Sequence, residues 1–172
     1  MPTSTLVIRP AQASDAAAML AIYRPFVVET AVSFEEIVPS LEEFSARLQK
    51  YLSGWRVFVA EVDGNVVGYA YGSMHRERAA YRWSVETTVY VARQNQRSGV
   101  GRSLYGMLLP ALADAGYCNA YAGVALPNDA SIGLHLASGF QPIGTFPRVG
   151  RKHGAWRDVA WFHKTLREEP AV

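Results

Sequence analysis

The sequence predicts a mixed α/β fold: a mostly antiparallel sheet of six to seven strands flanked by helices. Two observations carry this. The first is the order of hydrophobic periodicities along the chain: one strand, two or three helices, three strands, helix, strand, helix, two strands. The second is a strong hairpin, "RVFVAEVDGNVVGYAYGSM", in which two β-rich runs meet around Asp63, Gly64 and Asn65. A run of antiparallel strands followed by two βα units needs helices on both faces of one sheet. The 172 residues, with no linker, repeat or low-complexity tract, are read as one domain spanning 1–172.

Each element has its own signal. "TLVIRP" alternates in the strand manner and stops at Pro10, which cannot donate to a ladder. Ser14 and Asp15 offer an N-cap to "AAAMLAIYRPFVVET", and Pro25 is expected to break or kink that stretch into two short helices. Ser40 and Glu43 form a capping-box pattern ahead of Leu41, Phe44, Leu48 and Leu52, which follow helical spacing. An arginine-rich loop, "HRERAAYR", leads into the strand "WSVETTVYVA". "RSLYGMLLPALADAG" places Leu104, Leu108, Leu112 and Ala115 on one helical stripe and ends at Gly116. Pro110 lies four residues beyond Gly106, whose backbone can best adjust, so a kink is expected there. "NAYAGVAL" reads as a strand and "NDASIGLHLASG" as a short helix stopped by Gly139. "FQPIGTFPRVG" and "WRDVAWFHKTL" read as two strands joined by a loop holding Lys152 and His153.

Composition excludes several classes. With 49% hydrophobic and 19% charged residues the chain is globular, and a net charge of +2 is too small to imply nucleic acid. Nothing approaches the ~18 apolar residues of a membrane span, and "MPTSTLVIRPAQASD" lacks the pattern of a signal peptide. The single Cys118 rules out an internal disulfide and a cysteine zinc site; it is read as a buried thiol in a reducing, cytoplasmic setting. His75, His135, His153 and His163 show no metal-ligand spacing, so no metal is expected.

The stretch "NQRSGVGRSL" follows a strand and opens a helix. Amides at a helix N-terminus are unsatisfied and carry the positive end of the dipole, which suits a pyrophosphate. The same glycines would also suit a plain helix start. Leu104 breaks the dinucleotide pattern G-x-G-x-x-G, and Arg102 stands where a P-loop needs lysine.

"QRSGVG" resembles the Q/R-x-x-G-x-G/A motif of the GCN5-related N-acetyltransferases, and "PNDASIGLHLASGF" resembles that family's second motif. "TAVSFEE", "AYRWSVETTVYV" and "GRKHGAWRDVAWF" extend the resemblance to its phosphinothricin and methionine-sulfoximine acetyltransferase branch, over roughly residues 6 to 167. The resemblance implies acetyl-CoA as acetyl donor, the α-amine of a small amino acid or analogue as acceptor and a homodimer; a protein N-terminus or polyamine as acceptor, or a non-catalytic acyl-CoA-binding domain, are the alternatives. In its terms the strand residues Val89, Tyr90 and Val91 pair through their backbone with the pantetheine arm. The amides of Arg97, Ser98, Gly99, Val100, Gly101 and Arg102 then hold the pyrophosphate.

Asn128, Ser131 and His135 share one helical face, with Ile132 and Leu136 on a neighbouring stripe that can face the core. Asn128 suits both an N-cap and a cofactor contact. Glu86 stands in an otherwise uncharged strand and reads as an outward-facing surface residue or a general base. The resemblance selects the base, since an ammonium must lose a proton before its nitrogen attacks a thioester. His135 matches the position of the acid that protonates the leaving thiolate, or of a residue that orients substrate. An acceptor carboxylate suits the guanidinium groups of "HRERAAYRW", Arg76 and Arg78 among them. By the same resemblance Phe34, Arg78, Tyr81, Thr88 and Glu86 line the acceptor pocket. Direct attack in a ternary complex is expected, because no nucleophile with an adjacent base is visible.

Overall fold

The structure, a computed structural model, describes residues 5–170. The N-terminal stretch read against a signal peptide begins in residues 1–4, outside the described residues. One seven-stranded sheet runs in the order β1-β2-β3-β4-β5-β7-β6. Its strands are β1 (Leu6–Pro10), β2 (Val57–Val62), β3 (Asn65–Met74), β4 (Ser84–Val91), β5 (Asn119–Ala125), β6 (Gln141–Lys152) and β7 (Ala155–Thr165). Four α-helices flank it: α1 (Ala16–Glu29), α2 (Leu41–Gly54), α3 (Val100–Asp114) and α4 (Asp129–Ala137). Every neighbouring pair is antiparallel except β4 and β5.

Two cores lie on opposite faces of the sheet. On one, Leu104, Leu108 and Leu112 of α3 are fully buried against Val85, Ala120, Ala122 and Phe162. On the other, Met19, Tyr23 and Val27 of α1 and Phe44 and Leu48 of α2 cover Val57, Val59 and Tyr69. The β2–β3 hairpin turns at Asp63 and Gly64, both at positive φ (50° and 80°), the backbone an Asp-Gly pair takes most easily. Both halves of the Ser40 capping box form: Ser40 Oγ accepts from the Glu43 amide at 3.1 Å, and Glu43 accepts from the Ser40 amide at 2.7 Å.

Several expectations need correction. Helix α1 runs unbroken through Pro25 rather than as two short helices, its buried face held against α2 and the sheet. Tertiary packing here outweighs the lost amide and the local clash. Asp15 does not cap α1 with its side chain. It accepts two hydrogen bonds from Arg9, and that guanidinium holds its carboxyl below the usual range. Leu41, Ala115 and Leu136 fit the helical stripes but are exposed, because each lies at or near a helix end beyond the sheet. Lys152 is no loop residue: it ends β6, buried, and only His153 and Gly154 connect to β7.

Candidate active site

The site is set by where β4 and β5 stop pairing. Their register holds for Ser84, Val85 and Glu86 against Asn119, Ala120 and Tyr121, and then ends. Beyond it β4 stays paired with β3 and β5 with β7, so the two strands diverge. Thr87–Val91 therefore present a backbone edge with no strand partner among the described residues. A free edge of this kind accepts an extended ligand as an added strand.

A cleft of about 510 Å³ opens from that edge. It is lined by Val89, Tyr90 and Val91, by Arg97, Gly99, Gly101 and Arg102 at the start of α3, and by Asn128, Ser131 and Leu134 of the α4 region. Gly99 sits at the α3 N-cap with φ of 87°, and Arg97 also takes a left-handed φ of 61°. This turn brings the first amides of α3 and exposed guanidinium groups to one mouth, an arrangement suited to a phosphate. Gly101 has a second reason for its identity: a Cβ there would stand 3.0 Å from Leu134, so it lets α4 approach α3 closely.

A narrower extension runs into the strand split itself. Thr87, Thr88, Val89 and Tyr90 form one wall and Gly123, Val124 and Ala125 the other, with Asn128, Ser131, His135 and Tyr105 at its margin. Asn128 caps α4 by accepting from the Ser131 amide at 3.1 Å, and it also lines both clefts. His135 is only 3% exposed. Its Nδ1 lies 2.7 Å from the Ser131 carbonyl, an acceptor, so the ring proton resides on Nδ1. Nε2 then accepts from the Tyr105 hydroxyl at 2.9 Å, and the Thr87 hydroxyl, 3.1 Å away, donates to Tyr105. Burial lowers the pKa of His135, keeping the ring neutral.

On the α1/α2 face, Glu86 projects from the last paired position of β4, its side chain 29% exposed. Its Oε1 is 3.1 Å from His75 Nδ1 and 3.9 Å from Arg76 Nη1. Tyr121, opposite Glu86 in register, stacks on His75 with centroids 4.8 Å apart. A pocket of about 240 Å³ adjoins them, lined by His75, Arg76, Tyr121, Ile143, Gly144, Phe146 and Trp161. Glu86 thus stands between the strand split, which Thr88 lines, and this aromatic pocket, which Tyr121 lines.

The family described as acetyltransferase (GNAT) domain matches residues 8–161. The chain belongs to the GNAT family. A phosphinothricin N-acetyltransferase of Streptomyces viridochromogenes is 38% identical over 95% of this chain and 89% of its own. An L-methionine sulfoximine/L-methionine sulfone acetyltransferase of Salmonella typhimurium is 34% identical over 96% of this chain and 98% of its own. A crystal structure of a GNAT superfamily phosphinothricin acetyltransferase from Sinorhizobium meliloti, in complex with AcCoA, superposes with a TM-score of 0.93 at 32% identity, covering 97% of this chain and 94% of that one.

The GNAT fold gathers most of the residues expected from the sequence, but not all in the expected way. Ser98 and Val100 do not line the cleft. Ser98 Oγ donates to the Asn95 carbonyl, and the Val100 side chain is buried in the core. Arg78 is exposed and lines none of these clefts, and Tyr81 meets the His75 ring edge-on at 5.6 Å. Phe34 packs against Gly150 of β6, 39% exposed. Sequence reasoning passed over Phe26, Thr30 and Val32, which line the large cleft from α1 and the loop after it. It also passed over His75, Tyr105, Tyr121 and Trp161. Pairing and packing between distant segments bring these in, and no local pattern in the chain signals that.

Proposed function

We propose that the protein is an acetyl-CoA-dependent N-acetyltransferase acting on the α-amine of a small amino acid or analogue of the phosphinothricin or methionine sulfoximine type. The single observation that carries this is the split between β4 and β5, with a basic helix N-terminus at one end and Glu86 at the other. When bound, acetyl-CoA supplies the activated acetyl thioester. Arg97, Gly99, Gly101 and Arg102 would hold its pyrophosphate through amides and charge, with the Ser98 and Val100 amides in the same turn, and Val89, Tyr90 and Val91 would pair with its pantetheine arm.

The acceptor enters at the Glu86 end of the split. Arg76 offers a guanidinium to its carboxylate beside Glu86, while Arg78 and Tyr81 form the rim of the same loop. Phe34 and Thr88 border the path between the two substrates. Glu86 supplies the carboxylate on which removal of the ammonium proton depends. His135, neutral and bonded at both ring nitrogens, suits an orienting role better than that of an acid. Glu86→Gln should lower kcat/KM about 10²–10⁴-fold while leaving the Kd for acetyl-CoA unchanged. The measurement is thiol release from acetyl-CoA against a panel of amino acids, polyamines and peptide N-termini. Release only with the latter two, or an unimpaired Glu86→Gln enzyme, would overturn the assignment.

The buried Cys118 and a chain without disulfides fit a reducing cytoplasm, and among the described residues no helix is long and apolar enough to cross a membrane. The exposed apolar residues of the β6–β7 hairpin support a homodimer.

A further inference from the structure

Beside the carboxylate expected to drive deprotonation stands an imidazole with one nitrogen engaged and the other, among the described residues, without a hydrogen-bond partner. His75 follows β3 directly, and the β3–β4 register brings it to Glu86, whose register partner on β3 is Ser73. Its ring is fixed from three sides: Nδ1 at 3.1 Å from Glu86 Oε1, one face on Tyr121, an edge toward Tyr81. The side chain is 15% exposed, and among the described residues Nε2 has no hydrogen-bond partner. The same ring lines the aromatic pocket with Arg76, Tyr121, Ile143, Gly144, Phe146 and Trp161. A carboxylate on one ring nitrogen holds the tautomer that leaves the other nitrogen basic and stabilises the imidazolium that forms when it takes a proton.

We propose that His75 is a catalytic residue of acetyl transfer, its Nε2 receiving the proton of the acceptor ammonium while Glu86 holds Nδ1–H. This rests on the acetyl-transfer reading above and adds to it the group that takes the proton. The ammonium N–H bond breaks, the proton moves to Nε2, and the electron pair remains on nitrogen for attack on the acetyl carbon. The imidazolium then returns its proton to solvent. Two features favour this route over Glu86 alone. An imidazole is a better-matched base than a carboxylate near neutrality. Arg76, which shares Glu86 at 3.9 Å, suits the acceptor carboxylate one residue along from His75. The other groups facing His75 are the phenols of Tyr81 and Tyr121. His163 lies behind Tyr121, bonded to Asn119 at 2.8 Å, and the β6 and β7 walls are uncharged.

The test uses the wild type, His75→Phe and His75→Asn. Phe keeps the stacking on Tyr121, and Asn keeps an N–H for Glu86 but lacks Nε2. Both variants should keep the wild-type Kd for acetyl-CoA and lose about 10²–10⁴-fold in kcat/KM at neutral pH. The loss should shrink as pH rises and the acceptor amine arrives already neutral. Nitrogen NMR of the histidine-labelled wild type should show Nδ1 protonated and Nε2 bare, and it requires no variant to fold. An Asn variant with wild-type rates and pH profile would reduce His75 to a prop for Glu86 and overturn the proposal, as would the opposite tautomer. If the wild type releases thiol with no amino acid, the acetyl-transfer reading fails and takes the proposal with it. If the wild type turns over and both variants match it, only the role of His75 fails.

Discussion

His135 is where protonation and stability meet. Its folded-state pKa lies below the ordinary 6.5 because burial penalises the charged ring more than the Ser131 carbonyl favours it. In the window between the folded value and 6.5 the unfolded chain binds a proton that the native chain does not. Stability from this residue is therefore complete above pH 6.5 and is lost as pH falls through that window. His135→Gln should flatten this part of the curve, so that its thermal midpoint drops less than the wild type's between neutral and mildly acid pH. An equal drop in both proteins would show that His135 is not the group responsible. The cap at Asn128 was legible locally, as an Asn before a short helix, whereas Glu86 was singled out as a base only by the family resemblance. His75 was not legible, since its partners come from β4 and β5 and nothing within "SMHRER" reveals them.

Among the elements, β6 holds the least expected feature. Lys152 Nζ donates to the Val27 carbonyl at 2.7 Å and to the Ser33 carbonyl at 2.5 Å, bridging the end of α1 and the loop that carries Val32 and Phe34. The carbonyls near a helix C-terminus have no partner within the helix, and a buried lysine is tolerated where it supplies one. Burial holds its pKa below the ordinary 10.5. Lys152→Met leaves both carbonyls dry and unpaired, at about 1–3 kcal/mol each. The variant's thermal midpoint should fall by on the order of 4–24 °C, measured by calorimetry. A midpoint within a degree or so of wild type would mean that water or another donor replaces the lysine. Boundaries with a cap or turn of their own, such as Ser40 and Asp63-Gly64, were legible in the sequence. Pro25 misled as to a break, because local propensity carries no information about the layers that pack against α1.

At the scale of the molecule, the sheet order leaves β6 as an edge, and that edge is unusually long and apolar. Its 12 residues are exposed along almost their whole length. Ile143 is 57% exposed, Phe146 47%, Val149 52% and Trp156, on the facing strand, 51%. Proteins seldom leave such an edge bare, because its free backbone groups and apolar side chains recruit another chain. Ile143 and Phe146 also line the aromatic pocket beside His75, so a second subunit seated here would complete the acceptor site and leave the phosphate mouth untouched. Sedimentation should find a dimer at micromolar concentration. Val149→Glu alters the edge without touching either pocket lining. It should give a monomer with an unchanged Kd for acetyl-CoA and a raised KM for the amino acid. A monomeric wild type would refute the dimer. A monomeric Val149→Glu with wild-type KM would refute only the link between the dimer and the pocket, leaving each subunit able to close its own site.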